Sequence, residues 1–135
     1  MLILISLFFF VTVLLKNLTL TKFTKENNVV DLNYDIINPS FTINSDNQKI
    51  AIKASKGNFL SNDLILLEKN VSFESTKFKI FSDRVIFDRK KQTAQSKSNS
   101  KFESKGTKIN SEGFSIIQQG NIILFNGKTS LVLEQ

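Results

Sequence analysis

Ile52-Lys53-Ala54-Ser55 returns as Ile80-Phe81-Ser82-Asp83 and again as Ile109-Asn110-Ser111-Glu112, at spacings of 28 and 29 residues. Seven residues after each leading isoleucine stands another large apolar residue: Phe59, Phe87 and Ile116. Self-similarity at a fixed period of this size marks stacked supersecondary units, none of which buries its apolar face alone. The unit here is a pair of short strands, so the chain is expected to be an all-β stack of about three such layers.

Period-two alternation supports that reading along most of the chain. It runs through Phe41/Ile43, Ile50/Ile52/Ala54, Leu64/Leu66, Val71/Phe73, Phe78/Ile80, Val85/Phe87, Ile122/Leu124 and Leu131/Leu133, the signature of half-buried antiparallel strands. Turn chemistry falls between the runs at Ser45-Asp46-Asn47, Ser61-Asn62-Asp63, Asp88-Arg89-Lys90, Gln119-Gly120-Asn121 and Asn126-Gly127. Residues 92–101 are rich in Ser and Lys and poor in apolar side chains, and read as a long loop or a poorly covered edge strand. The single Pro, Pro39, suits a turn or a strand entry.

The first two dozen residues have a different composition. Residues 2–15 are apolar apart from Ser6 and Thr12, and span about 21 Å as a helix against a hydrocarbon core of about 30 Å. If Lys16 snorkels, the run extends to Leu20 and becomes long enough to cross. No basic residue precedes the run, and no Ala or Gly follows it within residues 16–26, so an uncleaved anchor is favoured over a signal peptide. Lys16, Lys22 and Lys25 follow the span, opposite to the charge bias that an outward-facing C-terminal domain requires. The expected organisation is an anchor over residues 1–20, a polar tether over 21–37 and a β domain over 38–135.

Composition removes several functions. The chain has no Cys and no His, which excludes disulfides, thiolate chemistry and the commonest general base and metal ligand. No phosphate-binding loop, nucleophile elbow or zinc-protease motif is present. Asp83 and Asp88 are the nearest approach to a carboxylate pair, and their odd separation would put them on opposite faces of a regular strand. Neither an enzyme, a metal nor a cofactor is expected. Lys16, Lys22 and Lys25 account for three of the 18 basic residues, leaving 15 against all 12 acidic ones in residues 26–135. That balance is too mild and too mixed for a nucleic-acid footprint. The one local excess, Arg89-Lys90-Lys91 with Lys97, Lys101, Lys105 and Lys108, suits either a phosphate-bearing partner such as a lipid head group or the protection of β edges.

Four stretches in order resemble the LptC family: Asn38-Pro39-Ser40-Phe41, Ile52-Lys53-Ala54-Ser55-Lys56-Gly57, Leu66-Leu67-Glu68-Lys69-Asn70-Val71, and Lys108-Ile109-Asn110-Ser111-Glu112-Gly113-Phe114-Ser115-Ile116 with Ile123-Leu124-Phe125-Asn126-Gly127-Lys128. Lys69 stands where that family usually has Gly. The resemblance implies an open β-jellyroll whose apolar inner face holds the acyl chains of lipopolysaccharide, on the periplasmic side of the inner membrane. It implies as partners the transporter subunits LptB, LptF and LptG and the periplasmic bridge protein LptA. Acyl-chain contacts are expected from Ile52, Ala54, Phe59, Leu66, Phe73, Ile80, Phe87, Ile109, Ile116 and Leu124. Partner edges are expected near Pro39 and Phe41 at one end, and near Gly113, Gly127, Leu131 and Leu133 at the other. Two alternatives remain open: a cleaved, LptA-like bridge protein, and an anchored structural β-protein with a filled core and no lipid cargo.

Overall fold

The computed structural model describes residues 34–135, so the expected anchor and most of the tether lie outside the described residues. Within that span the chain is a single antiparallel meander of seven rungs. The first rung joins β1 (Ile36–Ile37) to β2 (Ser40–Asn44), and the second joins β3 (Lys49–Lys53) to β4 (Lys56–Phe59). The third and fourth are single long strands, β5 (Leu64–Glu74) and β6 (Phe78–Asp88). The fifth joins β7 (Thr93–Ser96) to β8 (Ser100–Ser104), and the last two are β9 (Thr107–Ile117) and β10 (Ile122–Leu133).

Every rung bends near its middle, and the bends line up. Rung one breaks at Asn38–Pro39 and rung two at Ala54–Ser55, while the register slips between Glu68 and Val71 in β5 and between Asn126 and Thr129 in β10. Asn38, Lys69, Asn70 and Gly127 all take left-handed backbone at these positions, the conformation that reverses a strand's direction locally. Continuous with one another, the bends form a fold line that divides the sheet into two arms facing each other.

Register gives the sequence repeat its meaning. Phe41, Ile52, Phe73, Ile80, Phe102, Ile109 and Leu131 are successive cross-strand partners along one arm. Phe59, Ile65, Phe87, Ala94, Ile116 and Ile123 form the matching row on the other. The three repeated isoleucines thus share the first row, and the residues seven positions later share the second. Seven is an odd step that would reverse facing in a regular strand; the extra residue at the bend restores it. In β6, Asp83 and Arg84 are consecutive exposed residues between inward Ser82 and Val85. The same bend leaves Asp83 and Asp88 both on the outer side, correcting the expectation of opposite faces.

Between the arms lies a packed core, with Ile43, Ile50, Ile52, Ile65, Leu67, Val71, Phe73, Ile80, Phe114 and Ile116 fully buried. Aromatic pairs cross from arm to arm: Phe41 with Phe87 at 5.4 Å, Phe73 with Phe114 at 5.5 Å, and Phe102 with Phe125 at 5.3 Å between ring centroids. Beside the fold line the inward row turns small and polar, running Val71, Ser82, Ser100, Ser111 and Thr129. Where the ladder is interrupted, serine hydroxyls supply what the backbone loses. Ser96 Oγ donates to the Arg84 carbonyl at 2.7 Å, Ser111 Oγ donates to that of Gly113 at 2.8 Å, and Ser82 and Ser96 hydroxyls meet at 3.0 Å. No buried side-chain polar atom lacks a partner among the described residues, as an interior of low dielectric requires.

One expectation needs correction here. Residues 92–101 are neither a long loop nor an edge: β7 and β8 form an interior rung, paired with β6 on one side and β9 on the other. Its serines face the fold line, so the rung needs little apolar content.

Candidate functional site

A meander that does not close leaves two free edges. Here they are β1–β2, paired only with the second rung, and β10, paired only with β9. The edges differ in character. At the first, Pro39 is buried at the fold line and Phe41 packs against Phe87 with the rings tilted. At the second, Leu131, Val132 and Leu133 are 57%, 51% and 67% exposed. Leu131 is the last member of the inner row that begins at Phe41, so the apolar interior runs out to solvent at this end. Ile123 and Phe125 on the opposite arm are only partly buried. Together they form an apolar mouth beneath the C-terminal edge.

Opposite the fold line, the β2–β3 end of one arm is tied to the other arm, at the β6–β7 tip and at the turn that precedes β10. The Asn44 amide donates to Gln92 Oε1 at 2.9 Å. Gln48 Nε2 donates to the carbonyl of Gly120, which lies in the 3-10 turn Gln118–Gly120. Gly120 has φ +87° and sits against Ile50, where a side chain would push the turn away from the core. The first hairpin of one arm is therefore closed onto the other arm, whereas Leu131 and Leu133 at the far edge stay exposed.

Of the ten residues expected to line the trough, seven face the interior between the arms. Ile52, Phe73, Ile80, Phe87 and Ile116 are core residues, Ala54 sits at the fold line, and Ile109 borders the mouth. Phe59 belongs to the inner row but stands at an arm end, 46% exposed. Leu66 and Leu124 are a correction. Both pair into the outward row Asn58, Leu66, Ile86, Gln95, Ser115 and Leu124, because Ile65, Leu67, Ile123 and Phe125 take the inner positions beside them.

One of the two glycines is corrected as well. Gly113 lies on β9, an interior strand, where a Cβ would strike the Ser96 carbonyl; it allows the fold line to close rather than serving a partner. Gly127 does lie on the edge strand, but its φ of +75° and its contact with Glu112 make it a hinge of the bulge. The Lys128 amide donates to Glu112 Oε2 at 3.0 Å in the same bulge.

The outer surface is charged in alternation, Glu74, Lys79, Glu103 and Lys108 being successive cross-strand partners. The ion pair from Lys101 at 2.9 Å holds the Glu103 carboxyl below its ordinary pKa. Lys108, paired with Glu134 at 2.5 Å, is raised above the ordinary lysine value. A groove of about 900 Å³ also opens on the outer surface near the fold line, with Phe81, Asp83, Asn99, Lys101 and Glu112 among its walls. The repeat gave no signal for it, because it is made by the bends. No cluster of acidic residues suited to a metal occurs among the described residues.

The described residues thus form an all-β domain with an apolar interior between two folded arms and a long free edge at β10. Residues 17–133 match the family Lipopolysaccharide-assembly, LptC-related, and the chain belongs to that family. It is an envelope family of lipopolysaccharide transport, not an enzyme family. The chain is also 31% identical over 107 residues to an uncharacterized protein of Rickettsia prowazekii (strain Madrid E), RP506, covering 74% of this chain. It spans about half the length of that relative, 50%. Among the described residues no helix is long and apolar enough to cross a membrane.

Proposed function

We propose that this chain is an inner-membrane-anchored carrier of lipopolysaccharide, which receives acyl chains against its apolar inner face and passes them on at the C-terminal edge. The observation that carries the proposal is the inner row of Ile52, Phe73, Ile80, Phe102 and Ile109, which continues without a polar interruption to exposed Leu131. An acyl chain would meet the row at its open end, beside Ile109, Phe125, Leu131 and Leu133. The β1–β2 edge would face the periplasmic β-domain of the LptB–LptF–LptG transporter, and β10 would face LptA. No catalytic residue is required, since the work would be done by the transporter's ATPase.

Leu131 and Val132 supply the test. They are adjacent and similarly exposed, but Leu131 faces inward and Val132 outward. With a photo-crosslinking side chain at each position, lipopolysaccharide adducts are expected from Leu131 and not from Val132. Equal yields at both, or none at Leu131 beside a positive control, would sink the proposal.

A second reading has its own support. Ile43, Ile50 and Phe114 are fully buried with the rest of the core, which favours a β-protein with a filled core acting as a spacer or assembly element. On that reading neither position yields adducts and the C-terminal edge still captures its neighbour.

A further inference from the structure

Two hairpin tips at one arm end form a surface that the trough does not use. The β4–β5 tip exposes Phe59 and Leu60, 46% and 53%, and the β6–β7 tip exposes Arg89, Lys90 and Lys91. Arg89 fastens the two together. Its amide donates to the Asp63 carbonyl at 2.9 Å, its guanidinium donates to the Asn62 carbonyl, and its Cζ lies 5.6 Å from the Phe59 ring centroid. The nearby carboxylates are largely turned into the loops: Asp88 Oδ1 accepts from the Lys91 amide at 2.9 Å and Asp35 Oδ2 from the Phe59 amide at 2.8 Å. Asp63 is a further acid on the β4–β5 tip. Among the described residues neither Lys90 nor Lys91 is ion-paired.

We propose that this paired tip docks on an anionic lipid surface, with Phe59 and Leu60 entering the interfacial layer and Arg89, Lys90 and Lys91 meeting head-group phosphates. Exposed aromatic and aliphatic side chains beside a basic cluster combine the two attractions that hold a protein at a lipid interface. A lipid surface, not a protein, is indicated by where the chain enters. The Asp35 amide donates to Asn58 Oδ1 at 3.0 Å, so the described chain begins at this tip. Only residues 16–33 separate it from the apolar run of residues 2–15, a link of about 60 Å at full extension. The proposal does not depend on the lipopolysaccharide reading.

The sequence has no Cys, so one introduced thiol labels one place. Full-length Asn62→Cys and Gln135→Cys proteins, each carrying an environment-sensitive fluorophore, are mixed with vesicles containing a head-group quencher lipid. The vesicles are phosphatidylcholine alone or phosphatidylcholine with phosphatidylglycerol. Quenching of the Asn62→Cys label is expected to exceed that of the Gln135→Cys label in anionic vesicles and to lose that excess in neutral ones. Lys90→Gln with Lys91→Gln, both exposed and away from Arg89's loop contacts, should lower the docked-to-undocked ratio about twenty-fivefold, at about fivefold per lysine. Equal quenching at the two sites in anionic vesicles, an excess that persists in neutral vesicles, or one that survives the double substitution would overturn the proposal. Flotation with neutral vesicles reports separately whether the apolar run inserts.

Discussion

The ring of Phe73 meets that of Phe114 edge to face, with centroids 5.5 Å apart and planes at 81°, although the two residues stand on opposite arms of the folded sheet. Both are fully buried. The contact joins the arms through side chains alone, where the backbone ladder cannot reach. Phe73→Ala and Phe114→Ala should each lower unfolding stability by about 3–5 kcal/mol. A double-mutant cycle by urea denaturation should show a coupling of about 0.5–1.5 kcal/mol. Strict additivity would mean that the two rings do not couple across the arms.

Lys69 is the family's missing glycine made visible. It has φ +62° at the fold line, next to Asn70 at φ +52°, a conformation that costs a residue with a Cβ about 1–2 kcal/mol. Lys69 also opposes the charge of Lys56. Lys69→Gly should therefore stabilise the domain by about 0.5–1 kcal/mol, the relief exceeding the added chain entropy of glycine. Thermal unfolding is the measurement, and a lower midpoint would contradict the assignment of strain.

The Lys108–Glu134 pair gives the end of β10 a pH dependence. Lys108 is raised because its ammonium donates to the Glu134 carboxylate. A group whose folded pKa lies above its unfolded value contributes stability that is complete below the unfolded value and is lost as pH rises through the folded one. Protection of the Glu134 amide, which donates to the Gly106 carbonyl at 2.9 Å, should therefore hold to the ordinary lysine range and fall above it. Glu134→Gln should bring the Lys108 pKa down from its raised value, followed by NMR. Because both groups are at the surface, the effect is on local fraying.

What could be read from the sequence depended on whether alternation had a single phase. Phe41/Ile43 and Phe78/Ile80 each place apolar residues two apart with a polar or exposed neighbour between, and their facing was legible. Leu64-Ile65-Leu66-Leu67 and Ile122-Ile123-Leu124-Phe125 are runs of four apolar residues, in which period two selects no face. The alternation therefore puts Leu66 and Leu124 on the inner side, whereas both pair into the outward row. The bends were illegible too, since Asn38, Lys69 and Asn70 carry left-handed backbone without being glycine. With them went the lip ties of Gln48 and Gln92, which join residues far apart in the chain and follow only from the folding of one arm onto the other.

The free edge of β10 can be tested with one proline. Glu134 donates its amide to the Gly106 carbonyl just before β9, and amide direction alternates along an antiparallel strand, so Val132 directs its amide into the ladder and Leu131 directs its amide outward. Leu131→Pro then removes a donor from the free edge without removing one from the β9–β10 ladder, whereas Val132→Pro breaks that ladder. The Leu131→Pro domain should unfold within about 1 kcal/mol of the wild type, as exposed substitutions do, while losing capture of an LptA-type partner that docks by adding a strand. Leu131→Ala keeps the amide and separates loss of the side chain from loss of the donor. Bulk at Gly127 would be a poorer probe, because its positive φ and its contact with Glu112 would disturb the bulge itself. Wild-type recovery of the partner by Leu131→Pro in a pull-down would place the docking strand elsewhere, with the β1–β2 edge next to be tried.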